Sequence, residues 1–405
     1  MKAKLFLATL LLSCTSVMAQ ENFFGGPALQ SPVINPDNTV TFNLKAPKAV
    51  TVKLVGNFLP KVKMQTRFGE MEVAAPVDMK EVDGTWTYTT SALEPDIYTY
   101  NFEVDGQKAL DPNNVRQMRD GSAYQNNFII KSTDTESKGY LYDHHADVAH
   151  GTVSRVWYDS PTLGITRRMT VYTPAGYEGG KQKYPVFYLL HGAGGDEEAW
   201  ADLGREAQIL DNLIALGKAK PMIVVMTNGN PTQTASQNYL FEGMEKHEGP
   251  AERPQAKASM DESFTDVVNF IEQHYRVIKK KESRAIAGLS MGGGHTFAIS
   301  KRYPDMFDYI GLYSPAIFVG NRQDPNAPAV DEKVAQELKV LFSKNPKLYF
   351  MAIGNTDFLY KSDMEIKKNY FETPGYPLQY LETEGGHTWA NWRHYLTVFV
   401  PQLFK

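Results

Sequence analysis

Residues Arg284 to Thr296, RAIAGLSMGGGHT, decide the reading of this chain. A short apolar run, Ala285 to Leu289, passes into Gly288-Leu289-Ser290-Met291-Gly292 and then into more glycine and a helix-like segment ending at Lys301. A strand that turns sharply into a helix carries its central side chain at the tip of a strained turn, where a Cβ on the flanking residues would clash. Ser290 is therefore expected at the carboxyl end of a sheet strand, with the Met291 N–H and the new helix N-terminus facing any oxyanion beside it. A serine nucleophile requires that arrangement. The pentapeptide alone recurs by chance in glycine-containing chains, so its context has to carry the argument.

Working outward toward the C-terminus, the rhythm from Gly151 is of strands alternating with helices. Expected strands are Val153–Trp157, Met169–Thr173, Val186–Leu190, Met222–Met226, Ala285–Leu289, Tyr309–Tyr313, Leu348–Ile353 and Leu378–Leu381. Between them lie helical patterns at Asp261–Tyr275, with Phe264, Val267, Val268 and Ile271 on one face, and at Asp331–Phe342. Near-continuous apolar strands between helices imply a mostly parallel sheet covered on both faces. With Ser290 after the fifth strand, the fold class is α/β, an α/β-hydrolase domain.

A serine at its ordinary pKa is inert and needs a base and a group that orients the base. His387, in Glu384-Gly385-Gly386-His387-Thr388-Trp389, falls in a glycine-rich loop after the last strand and before a final helix, where the base must hang over the nucleophile. His394 falls within that helix, Trp389 to Val400, and reads as a helix-surface residue. For the acid, Asp357 follows the Leu348–Ile353 strand in Gly354-Asn355-Thr356-Asp357-Phe358, with Asp363 and Glu384 as rivals. The second oxyanion donor is expected from His191-Gly192-Ala193-Gly194-Gly195, directly after the third strand, with the N–H of Gly192 or Ala193 as the alternatives. His191 reads as a brace for that loop and His295 as a buried, hydrogen-bonded side chain. The polar stretch Asn228 to Ser259 lacks periodicity and reads as a lid or a wall of the site.

Upstream, residues 23–130 show short alternating segments, Thr39–Leu44, Val50–Val55, Thr85–Thr89 and Tyr98–Val104, with Asp83-Gly84 and Asp105-Gly106 as hairpin turns. About a hundred residues of this pattern is an all-β immunoglobulin-like sandwich. Residues 131–147 are polar and aperiodic and read as a linker ahead of a catalytic domain at 148–405. His144, His145 and His150 cluster there with Asp143 and Asp147, and solvation explains them better than a metal does. The chain of 405 residues has net charge −4 and 22% charged residues, which argues against nucleic acid and against a charged membrane surface. Its 12% aromatic content suits flat ligands, although core packing accounts for most such residues. Lys2 and Lys4, the apolar run Leu5–Leu12 and Val17-Met18-Ala19 read as a signal peptide over residues 1–19, so export to the periplasm or the extracellular space is expected. The single cysteine, Cys14, lies inside it; lipid anchoring there is the alternative, against which stands Leu12 two positions before. No later apolar run is long enough to span a bilayer.

LLHGAGGDEEAW, AIAGLSMGGGHT, AIGNTDFLY and EGGHTWANW together resemble carbohydrate esterase family 1, the feruloyl and acetyl-xylan esterases of the esterase D type, over roughly Gly151 to Lys405. The first hundred residues resemble early-set sandwiches akin to family-48 carbohydrate-binding modules, on Val40 to Phe58, Asp83-Gly84-Thr85-Trp86 and Tyr98 to Gly106 followed by Asp111-Pro112-Asn113. Those matches are scaffold, and a structural or interface role for the sandwich is favoured over sugar binding. The resemblance implies Ser290 as nucleophile, Asp357 as acid, His387 as base, and oxyanion donors at Met291 and the His191 loop, with no metal and no cofactor. It implies feruloylated or acetylated xylan oligosaccharides as partners; the aromatic residues at loop positions beside these motifs, Trp200, Phe318, Phe358, Tyr360, Trp389 and Trp392, read as a slot for a cinnamoyl ring, with core packing as the alternative for each. Acetyl-xylan esterase, an enterochelin-esterase-like hydrolase and a non-catalytic glycan-binding protein are the alternatives.

Overall fold

The computed structural model of the protein describes residues 29–66, 69–121, 123–236, 256–317 and 330–405. Residues 1–19, including Cys14, lie outside them, as do Phe318 and part of the Asn228–Ser259 stretch.

The N-terminal part is built from antiparallel sheets. One joins Val33–Ile34, Val40–Lys45, Thr85–Thr89 and Lys80–Val82. The other runs Gln117–Asp120, Ala123–Ile129, Ile97–Val104, Val52–Gly56 and Val77–Asp78, with Gln107–Ala109 paired to Ile97–Val104. Strands with alternate residues buried bring Phe42, Tyr100, Phe102 and Phe128 together between the sheets, Phe42 meeting Tyr100 edge-on at 4.7 Å. At both expected hairpin turns the two central residues have positive φ, Asp83 and Gly84 at 50° and 74°, Asp105 and Gly106 at 48° and 81°. Aspartate tolerates that region and glycine has no penalty there, which is why Asp-Gly closes two-residue hairpins. Two further strands, Gln117–Asp120 and Ala123–Ile129, carry no strong alternation and escape a reading by periodicity, while Lys61–Thr66 and Gly69–Ala74 alternate and pair as an additional hairpin.

The second sheet has eight strands in the order Thr152–Ser160, Ile165–Thr173, Ile223–Thr227, Val186–Leu190, Arg284–Leu289, Tyr309–Tyr313, Leu348–Gly354 and Gln379–Thr383. The first two are antiparallel to their neighbours and the remaining pairs are parallel. Its two faces are covered by separate apolar clusters, one around Phe187, Leu210 and Phe399, the other around Tyr188, Phe264 and Ile310. Helix Met260–His274 starts where Ser259 and Glu262 form a reciprocal capping box, and it buries Phe264, Val267, Val268 and Ile271 against the sheet. This is the α/β-hydrolase fold, with Arg284–Leu289 fifth in chain order and central in the sheet. No helix among the described residues is long and apolar enough to cross a membrane.

Residues 131–147 are not a solvated linker throughout. Ser137 caps a short helix, Lys138–Leu141, and Leu141 and Tyr142 are buried in the hydrolase core. Asn212, on helix Glu206–Ala215, donates to the carbonyls of Leu141 and Asp143 at 3.0 and 2.9 Å, satisfying backbone that a free linker would leave to water. Among the described residues no three His, Cys, Asp or Glu side chains gather as a metal site; His144 stacks on His150 and Asp143 pairs with Lys131. The sandwich and the hydrolase sheet share one core, in which Ile97, Met118 and Ile129 meet Trp200 and Leu203.

Candidate active site

The Leu289-to-Met291 turn has the strained form expected of it. Ser290 sits at φ 50° and ψ −116°, between the buried strand and helix Met291–Arg302. A non-glycine residue at positive φ is held there by its surroundings. The Ser290 N–H donates to the Tyr313 carbonyl at 2.9 Å, and its own carbonyl accepts from the Ala316 and Gly294 N–H groups. The flanking glycines are steric necessities. A Cβ on Gly288 would lie 2.3 Å from the Gly292 carbonyl oxygen, and one on Gly292 would lie 2.5 Å from that of His191 and 2.6 Å from that of Leu190.

That last contact shows how the third-strand loop reaches the turn. His191 is buried, and its Nε2 accepts from the Gly229 N–H at 2.7 Å. Its proton is therefore on Nδ1, which donates to the Gly192 carbonyl at 2.7 Å. Burial holds this imidazole below its ordinary pKa, so it is neutral and acts as a brace across two loops. Gly192 and Ala193 line the same cavity as Ser290, and a Cβ on Gly192 would press to 3.3 Å on that of Ser290.

Asp357 and His387 come together from two loops at the carboxyl ends of the last two strands. His387 Nδ1 lies 2.9 Å from Asp357 Oδ2 and 3.1 Å from Oδ1. Asp357 is 4% exposed, and its Oδ1 also accepts from the Leu359 N–H at 2.9 Å. The histidine loop is pinned below. Asn391 donates to the Glu384 carbonyl at 2.8 Å, Gly385 turns at φ 93° against that same side chain, and a Cβ on Gly354 would lie 2.1 Å from the Gly385 oxygen. Phe358 and Trp392 flank the imidazole at ring separations of 4.5 and 4.9 Å. The rival Asp363 lies one helix on, within Tyr360–Lys367, and Glu384 lines the cavity without taking the Asp357 position.

Ser290, His387, Gly192, Ala193, Trp389 and Trp392 open on one cavity of about 780 Å³. Of the expected aromatic slot, Trp389 and Trp392 line it, and Phe358 stands beside the imidazole. Trp200 does not line it. It is 1% exposed, its indole donates to the Leu190 carbonyl at 2.9 Å, and its ring packs edge-on to Trp389 at 5.2 Å, so it supports the wall from behind. Tyr360 hydrogen-bonds to Glu382 on the surface. His295, expected to be hydrogen-bonded, has an Nδ1 without a partner among the described residues, and burial and His191 lower its pKa to about 4. The cavity's remaining wall has no counterpart in the sequence reading: it comes from the sandwich, where Asn57, Lys61, Asp120 and Gln125 face the same space. An Asp120-Gly121 pair signals a turn, but nothing in the sequence says where that turn docks.

A strained serine at a strand-to-helix turn, a buried carboxylate-imidazole pair and a neutral histidine bracing a glycine loop define the serine hydrolases of the α/β-hydrolase fold. Within that class the chain belongs to the esterase family described as "Putative esterase", whose model matches residues 160–403. It is 30% identical over 390 residues to the endo-1,4-beta-xylanase/feruloyl esterase of Xylanibacter ruminicola, covering 94% of this chain and 46% of that protein. The chain thus spans less than half the length of that relative. A solved ferulic acid esterase is 28% identical with a TM-score of 0.50, over 62% of this chain and 97% of that one. The enterobactin esterase FES of Shigella flexneri shares the fold over 90% of this chain and 92% of its own, with a TM-score of 0.61 at 15% identity.

Proposed function

We propose that the chain is an exported serine esterase that releases ferulate and related hydroxycinnamates from xylan side chains. The observation that carries the reading is the buried Asp357–His387 pair opening on the cavity that Ser290 enters. In this reading His387 takes the Ser290 proton as Oγ attacks the ester carbonyl. The oxyanion is held by the Met291 N–H and by an N–H of Gly192 or Ala193, and the protonated imidazole hands its proton to the departing sugar oxygen. Water, deprotonated by the same imidazole, then attacks the acyl-serine and frees the acid. Asp357 keeps the Nδ1 proton in place and stabilises the imidazolium in both steps. No step calls on a metal or an organic cofactor.

The acyl preference is supported by the feruloyl activity named for the Xylanibacter ruminicola relative and for the solved ferulic acid esterase. Export is supported by the charged and apolar pattern of residues 1–19. The test is acid release from methyl ferulate and from acetylated xylan side by side, with Ser290→Ala as blank. Ferulate release that disappears in the variant is the expected result. Acetate release without ferulate transfers the substrate to acetylated xylan, and undiminished release by the variant rejects the serine mechanism.

A further inference from the structure

Among the residues facing the cavity, the side chains that come from the sandwich are polar or charged. Asn57, Lys61, Asp120 and Gln125 stand on strands and turns that belong to a different sheet from Ser290. They are held in place. Arg119, next to Asp120, forms a buried ion pair with Asp196 of the hydrolase and donates to the Gly121 carbonyl at 2.8 Å, while its N–H donates to Asp202 at 3.0 Å. The turn at Gly121 comes to rest against the Gly194 carbonyl of the His191 loop. Asp120 lines the cavity together with Trp389, two residues beyond His387. Solvent still reaches it, yet the surrounding wall holds its carboxyl above the ordinary carboxylate range, and no ion pair to it occurs among the described residues.

The side of the cavity on which this wall stands follows from the chemistry. The imidazole that accepts the serine proton must next protonate the leaving oxygen, so the alcohol half of the ester lies along the His387 loop. Trp389 and Asp120 are on that side. A carboxylate with free lone pairs accepts two hydroxyl donors at once, and vicinal hydroxyls are what a pentose ester presents beside its leaving oxygen. Resting on the esterase reading above, we infer that the sandwich supplies the alcohol-side subsite, with Asp120 as the specificity residue that accepts hydroxyls of the sugar from which the acyl group is cleaved. The sandwich is then one wall of the active site, not an appended domain.

The experiment compares two esters of one acid, methyl ferulate and feruloyl-arabinose, with the intact chain and its Asp120→Ala and Asp120→Asn variants. Asp120→Ala is expected to lower kcat/KM on the sugar ester about tenfold to a hundredfold while methyl ferulate stays within about twofold. Asp120→Asn, which keeps the size and one acceptor oxygen but loses the charge, is expected to show a smaller loss confined to the sugar ester. An equal loss on both esters makes Asp120 a support for the His387 loop and overturns the subsite, as does an unchanged rate on the sugar ester. If the wild-type protein cleaves acetate but no ferulate, the acyl reading fails by itself. The subsite is then judged by the same comparison on acetylated xylose and methyl acetate.

Discussion

His387 Nδ1 lies between the two oxygens of Asp357, 2.9 Å from one and 3.1 Å from the other, and the carboxylate has no exposed side-chain surface. A carboxylate so placed fixes the tautomer that leaves Nε2 free to accept a proton, and it offsets the charge that the ring then acquires. Asp357→Asn keeps the size and the Leu359 contact but donates where Nδ1–H must donate, so the ring turns to the wrong tautomer. The expected cost is about a thousandfold or more in kcat with little change in melting temperature. Combined with Ser290→Ala it should add almost nothing, because residues acting as one unit do not contribute additively. A double variant much slower than Ser290→Ala alone would assign Asp357 some other role.

Gly292 is packed on carbonyl oxygens of Leu190 and His191, and backbone does not swing aside as a long side chain does. Gly292→Ala must therefore push the turn away from the third-strand loop, separating Ser290 from the candidate oxyanion donors. A loss of about a hundredfold or more in kcat is expected, on the scale of removing one oxyanion donor, together with a lower melting temperature. Gly217→Ala, where a Cβ meets nothing but φ is 68°, is the control: it costs backbone strain and should leave kcat untouched. Equal kinetic effects at the two positions would refute the packing argument.

The turn, the close-packed glycines and the meeting of Asp357 with His387 were legible because each rests on local chemistry: positive φ, close approach, and a side chain in a loop at a strand's carboxyl end. Asp357 was separable from Asp363 for the same reason, since it lies in the loop between strand Leu348–Gly354 and helix Tyr360–Lys367 while Asp363 stands inside that helix. Proximity in sequence misled at Trp200, which adjoins the His191 loop yet points into the core toward Leu190. Leu141 and Tyr142 are too short an apolar pair to show a period, so their burial depended on Asn212, some seventy residues on. The sandwich wall depended on Arg119 meeting Asp196 across 77 positions. Long-range docking of this kind leaves no periodic trace.

Glu206 is fully buried, and neither carboxylate oxygen has a partner among the described residues. Burial first, and then repulsion from Asp211, raise its pKa well above the usual 4.5. Between the ordinary and the raised value the native chain keeps a proton that the unfolded chain has released, so stability falls as pH rises through that window. Glu206→Gln removes this dependence. The variant should melt within a few degrees of wild type at pH 5 and above it at pH 8, by about 1–3 kcal/mol in stability. Parallel pH profiles for the two proteins would show that Glu206 is ionised and partnered in the fold.

Arg119 and Asp196 are 9% and 2% exposed at the side chain, so their pairing across the two sheets is sheltered from water. Such a pair contributes little over an apolar one of the same shape, but removing a single partner strands the other charge in the interior. Arg119→Ala should thus destabilise by about 3–5 kcal/mol, and Asp196→Ala by a similar amount. Arg119→Met with Asp196→Leu should recover much of that loss, because no charge is left unpaired. The hydrogen bond from the Arg119 N–H to Asp202 survives every one of these changes, so the hairpin stays docked in the double variant. Hydrolysis of methyl ferulate should then return together with the melting temperature. If stability returns without activity, the guanidinium itself shapes the His191 loop; if neither returns, the charge pair is what orders the contact between the sandwich and the hydrolase.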